Sequence, residues 1–145
     1  MPNINEAGLK LVQNFEGLRL HSYDDGTGVW TVGYGHTPAK PGQVITQAQA
    51  TKFLESDLAS AEKAVSNSLK VIVNPNQFSA MVSLAFNIGN GAFEGSSVLR
   101  HVNAREWQQA ADAFLKWIDA GYPEEAGLLR RRQAERALFL QDLPK

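Results

Sequence analysis

Along most of the chain, apolar side chains recur every three to four positions, the period of a helix buried on one face. In "NINEAGLKLVQNFEG" the residues Gly8, Leu11, Val12 and Phe15 share a face, and Gly17 follows as a stop. "ITQAQATKFLESDLASAEKAV" opens with Thr46 and Gln49 in capping-box spacing and predicts a helix of about five turns. Its buried stripe is Ala50, Phe53, Leu54, Leu58, Ala61 and Val65, with Asp57 falling inside the stripe. "NPNQFSAMVSLAFNIG" places Asn74 as N-cap, Pro75 at the first helical position and Gly89 as terminator. Phe78, Met81, Val82 and Ala85 form its stripe. Further helices are predicted over Ser97–Val102, Glu106–Ala120 and Gly127–Leu140, the second with Trp107, Ala111, Phe114 and Ile118 on one face.

One stretch breaks the period. "VWTVGYG" sets β-branched and aromatic residues between glycines, which predicts a short twisted hairpin. "TPAKPG" closes it, because two prolines so near each other forbid regular structure. Repeats, low-complexity tracts and flexible linkers are absent from the sequence. The expected fold is α+β and mostly α, one domain over residues 1–145. Within it, a small strand-bearing lobe with its connecting helix spans about 14–60, and a helical lobe takes about 1–13 and 61–145.

Composition narrows the partners. Fourteen basic residues against 15 acidic ones leave a net charge of −1, which offers no field for a polyanion and argues against nucleic acid. The chain has no cysteine, so a disulfide framework and a thiolate metal site are both excluded. His21 and His36 lie near aspartates but lack ligand spacing, so neither a metal nor a cofactor is expected. "MPNINEAGLKLV" has no basic n-region before an apolar run, and no later stretch is apolar for about 18 residues. The expectation is therefore no leader, no anchor and no membrane insertion.

Candidate chemistry gathers between Glu16 and His36. Glu16 ends the first predicted helix, where the dipole disfavours further negative charge, and stands between Phe15 and Leu18. Both surroundings favour the protonated carboxyl that a general acid needs. Asp24 and Asp25 lie in a polar, glycine-flanked turn that favours the ionised form. Two carboxyl groups pushed in opposite directions are the pattern of glycoside hydrolysis. From spacing alone, a solvated helix-end glutamate and turn-forming aspartates are the commoner arrangement and the better-supported reading.

The stretch "FEGLRLHSYDDGTGVWTVGYGHT" resembles the active-site segment of the phage-type lysozymes, a glycoside hydrolase family of bacteriophage endolysins. Glu16-Gly17, Asp25, Thr31 and Gly33-Tyr34-Gly35-His36 keep the family's order and spacing. "AFNIGNGAFEGSSVL" resembles its Phe-Asn-x-Gly segment, and "AGLLRRRQAERALF" its Gly-Leu-x-x-Arg-Arg-x-x-Glu helix.

The resemblance implies a lysozyme-like fold with a cleft between lobes. It also implies a muramidase that cleaves the β-1,4 bond between N-acetylmuramic acid and N-acetylglucosamine in peptidoglycan. Glu16 is then the acid, while Asp25 and Thr31 manage the attacking water, and only the family spacing prefers Asp25 to Asp24. Gly33, Gly35 and Asn87 are expected at the substrate, the glycines because a polysaccharide must pass close to backbone. One arginine of Arg130 to Arg132, by family position Arg131, is expected to turn inward and pair with Glu16. His36 is expected against Asp57. Trp107 and Trp117 read as core rather than as sugar platforms.

By the same resemblance the enzyme acts as a monomer on glycan strands. It waits in the host cytoplasm until a separate membrane lesion releases it to the wall. A wall-binding protein without hydrolysis and a lytic transglycosylase are the competing readings. Intact Glu16, Asp25 and Thr31 speak against the first, and the water-handling pair against the second. "DAGYPEEAG", Asp119 to Gly127, departs from the basic or glycine-rich segment of many relatives.

Overall fold

The computed structural model describes residues 3–24, 26–118 and 125–141. Asp25 and most of the acidic 119–127 segment therefore lie outside the described residues. In chain order the elements are α1 (Glu6–Glu16), β1 (Arg19–Asp24), β2 (Trp30–Gly33), α2 (Gln47–Ser68), α3 (Pro75–Ile88), α4 (Asn90–Glu94), α5 (Ser97–Asn103), α6 (Trp107–Phe114) and α7 (Glu125–Leu140). The fold is α+β and dominated by helix. It divides into two compact units, Val12–Ala59 and the remainder, Met1–Leu11 with Ser60–Lys145.

The strand-bearing unit is built on local pairing. β1 and β2 are antiparallel, with Tyr23 opposite Thr31 and Asp24 opposite Trp30. The partner of β2 is thus "RLHSYD", which the sequence reading left unassigned. Its pairing slips between Arg19 and Tyr23, and its burial does not alternate, so no period of two shows in the sequence. The free edge of β1 is taken by the segment around Val44, where Ser22 N donates to Gln43 O at 2.8 Å and Ile45 N to Leu20 O at 2.9 Å. α2 starts as its sequence predicts: Gln49 N donates to Thr46 Oγ1 at 3.1 Å and Thr46 N to Gln49 Oε1 at 2.9 Å. Val32, Tyr34, Ile45, Ala50, Leu54 and Leu58 are buried in this unit.

In the helical unit α3 packs against α7, and α6 against both α5 and α7. Asn74 and Gln77 form a reciprocal cap on α3, and Gly89, at φ 100°, closes it by donating to Ala85 O. Phe78, Met81, Leu84, Phe93, Phe114 and Phe139 are buried, the last two with ring centroids 5.5 Å apart.

Two expectations need correction. α6 stops at Phe114, because Leu115, Lys116 and Trp117 donate to carbonyls three residues back rather than four, so the last turn tightens and Ile118 leaves the helical face. Trp107 and Trp117 are only half-buried, so neither is a core residue.

Candidate active site

Glu16 is the last residue of α1, and Gly17, at φ 75°, ends the helix with its N–H donating to Gln13 O at 3.0 Å. Phe15 and Leu18, expected to cover the carboxyl, each remain 37% exposed, and Glu16 itself is half-buried. The Gly35 turn comes close to the carboxylate. A Cβ built on Gly35 would lie 3.3 Å from Glu16 Oε1, and Gly35 is exposed with φ 81°. Gly35 occupies the tip of a tight turn after β2, closed by Val32 N donating to His36 O and His36 N to Val32 O.

The other glycine of the motif does different work. Gly33 is buried, at φ 69°, and a Cβ there would meet the Ala50 Cβ at 3.3 Å. Its missing side chain lets the hairpin close on α2, which corrects the expectation that both glycines make way for a glycan. Thr31 is 5% exposed and sits on β2 opposite Tyr23, so its hydroxyl is held by the strand rather than by a loop.

His36 and Asp57 meet. His36 Nδ1 lies 2.9 Å from Asp57 Oδ2 and 3.1 Å from Oδ1, and its ring stacks on Phe53 with centroids 4.2 Å apart. An ionised carboxylate only accepts, so the imidazole carries its proton on Nδ1. Ring stacking and hydrogen bond together tie the motif's last residue to α2.

Asp24 has its own employment. Its Oδ1 accepts from Gly26 N at 2.9 Å and from Gly28 N at 3.1 Å, bracing the turn between the strands. Among the described residues no group of three or more histidine, cysteine and acidic side chains is arranged to hold a metal. Nor is any helix among them long and apolar enough to cross a membrane.

The helical unit holds the remaining candidates. Arg130 is exposed, whereas Arg131 and Arg132 are both buried, so two guanidiniums turn inward where the sequence reading foresaw one. Arg131 Nε donates to Glu135 Oε2 at 3.3 Å and its Nη2 to Ser83 O at 3.3 Å. Arg132 Nε lies 2.8 Å from Glu135 Oε1, at ion-pair distance without hydrogen-bond alignment. Arg132 Nη2 donates to Asn87 Oδ1 at 2.8 Å. Ser83 Oγ donates to Glu135 Oε2.

Burial pushes the Glu135 carboxyl above its ordinary range, with Arg132, Arg131 and Ser83 pulling it back. Burial likewise holds Arg132 below its usual range, opposed by Glu135 and reinforced by the like charge of Arg131. Sequence reasoning missed Arg132, Glu135 and Ser83 as a network, although the i, i+3 and i, i+4 spacing of "RRQAE" puts all three charges on one helix face. Asn87 is exposed and lines a cavity of about 530 Å³ together with Ile88, Lys116, Trp117, Ile118 and Leu128.

The chain is similar to known proteins over nearly its whole length. The phage lysozyme family model matches residues 13–135. The endolysin of Salmonella phage P22 is 43% identical, over 97% of this chain and 99% of its own. A crystal structure of a P22 lysozyme mutant superposes with TM-score 0.89 at 44% identity, covering 97% of this chain and 99% of that one. The muramidase domain of SpmX from Asticaccaulis excentricus gives TM-score 0.89 at 40% identity, covering 99% of this chain and all of that domain (100%).

Proposed function

The chain belongs to the phage lysozyme family, and from that premise we propose that Glu16, Asp25 and Thr31 carry out its hydrolysis of peptidoglycan. It is a glycoside hydrolase of the muramidase kind, and the wall polymer is its substrate. The bond cut is the β-1,4 linkage between N-acetylmuramic acid and N-acetylglucosamine. Glu16 gives its proton to the leaving glycosidic oxygen as positive charge develops at the anomeric carbon. Asp25 and Thr31 hold the water that attacks that carbon, the threonine hydroxyl both donating and accepting. The water's proton passes to the aspartate.

One observation carries this reading. Glu16 Oε1 lies 3.3 Å from the place a Cβ would take on an exposed glycine, Gly35, at the tip of the motif's turn. A group that must reach an oxygen within a polymer needs such an approach, free of Cβ bulk on one side. Two further features support it. Asp24 is committed to the turn N–H groups, which leaves Asp25 as the aspartate for water. The ties of His36 to Phe53 and Asp57 hold the end of the strand that carries Thr31. Asn87 and Gly35 are proposed to contact the substrate, and Gly33 to shape the hairpin that does so. The site of action is the cell wall.

Glu16→Gln keeps the shape of the side chain and removes the transferable proton. Lysis by the folded variant should fall by at least about 10²-fold. A folded variant that lyses at the wild-type rate removes Glu16 from the mechanism.

A further inference from the structure

Arg132 is a costly residue with no part in the chemistry above. Its side chain is fully buried, its Nη1 has no hydrogen-bond partner, and burial works against its charge. Its best-made contact is outward, from Nη2 to Asn87 Oδ1 at 2.8 Å. A guanidinium has only donors, so the Asn87 amide must turn its oxygen to it. The orientation of that amide is then fixed by chemistry, and its NH₂ is the end left for the cavity. Lys116 and Trp117 also line the cavity, and the polar atoms of both side chains, an ammonium and an indole N–H, are donors. Ile88, Ile118 and Leu128 are its apolar lining residues. Side-chain donors beside apolar side chains suit an acceptor attached to an apolar body.

We propose that Arg132 is a positioning residue that locks Asn87 as a hydrogen-bond donor to an amide carbonyl of the substrate. Two parts of peptidoglycan carry such a group: the acetamido substituent of the sugar and the stem peptide. This rests on the wall polymer being the substrate, but it can be tested without turnover.

The direct test is NMR of the ¹⁵N-labelled protein, with the Asn87 side-chain amide identified by its loss in Asn87→Asp. In the free wild type that amide should be rigid, with an order parameter of about 0.8, where a value below about 0.6 overturns the lock. Titration with an N-acetylglucosamine tetramer, its de-N-acetylated counterpart and a free stem tetrapeptide should shift the amide resonance. A response to the acetylated sugar alone assigns the acetamido group, and a response to the peptide assigns the stem. Response to none of them, or equally to the de-N-acetylated sugar, overturns the proposal.

Kinetics separate positioning from structure. Asn87→Asp still accepts from Arg132 but presents an acceptor to the cavity, so KM on wall fragments should rise about tenfold with thermal stability kept. Arg132→Lys loses the planar fork, so KM should rise several-fold while kcat stays within about twofold and the Asn87 amide loosens. If the lysine variant does not fold, the order parameter and the aspartate variant decide alone. Wild-type KM in Asn87→Asp overturns the proposal.

Discussion

Gly35→Ala separates backbone strain from displacement of the proposed acid. The substitution puts a residue with a Cβ at φ 81°, which costs about 1–2 kcal/mol of stability. Its new methyl would also stand 3.3 Å from Glu16 Oε1, closer than ordinary contact, so the flexible carboxylate must give by a few tenths of an ångström. A misplacement of about 1 Å in a reacting group can cost about 10²-fold, so a smaller shift predicts a loss of about tenfold in kcat. Gly42 supplies the control. It has φ 75° and nothing within 4 Å of the position a Cβ would take. Gly42→Ala should therefore lose the same 1–2 kcal/mol, about 2–6 °C in Tm for a chain of this size, with lysis unchanged. The assay is turbidity loss of permeabilised bacteria beside a thermal melt of each variant. Full activity in Gly35→Ala, or an equal activity loss in Gly42→Ala, refutes the idea that contact with Glu16 matters.

Two more predictions come from the carboxylates. Asp25→Asn should reduce lysis by about 10²-fold or more, whereas Asp24→Asn should cost little, since an asparagine oxygen still accepts from Gly26 and Gly28; equal losses in lytic rate would remove the distinction. Because burial raises the Glu135 carboxyl, the folded protein binds more protons than the unfolded chain across the window between the two values, and stability falls as pH rises through it. That contribution is complete below about pH 4.3 and lost through the raised value, so Glu135→Gln should compare worst with wild type in acid and gain on it with rising pH. Urea unfolding of both proteins from about pH 3 to 8 checks this, and an advantage for wild type that grows with pH contradicts it.

The parts of the fold legible in the sequence were those in which local signals agree. α3 has an asparagine cap, a proline at its first position and a glycine stop around an apolar stripe, and each is found where the sequence puts it. β1 was missed because its slipped pairing with β2 erases the alternation a strand ordinarily shows. α4 was missed because Asn90–Glu94 is too short for a helical period to register. α6 was drawn too long because Trp117 and Ile118 keep the apolar rhythm after the hydrogen bonds have tightened, with no glycine or proline to announce the end.

The site divides the same way. That Asp57 needs a partner was legible because a carboxylate inside an apolar stripe is costly alone, and the family resemblance pointed to His36 as that partner. The different roles of Gly33 and Gly35 were not, since both appear in sequence only as missing side chains, and burial alone tells packing from access. Arg132 was hidden inside a run of three arginines, of which the family resemblance turns only one inward, by position Arg131.

Mass spectrometry of peptidoglycan digested to completion tests the hydrolysis most directly. Attack by water held at Asp25 and Thr31 predicts products ending in reducing N-acetylmuramic acid, each carrying one oxygen from solvent when the digest is run in H₂¹⁸O. Products ending in 1,6-anhydro-muramic acid, without solvent oxygen, would mean that the sugar's own hydroxyl attacks and that no water is managed there. A folded protein that leaves no new ends would contradict enzymatic cleavage altogether.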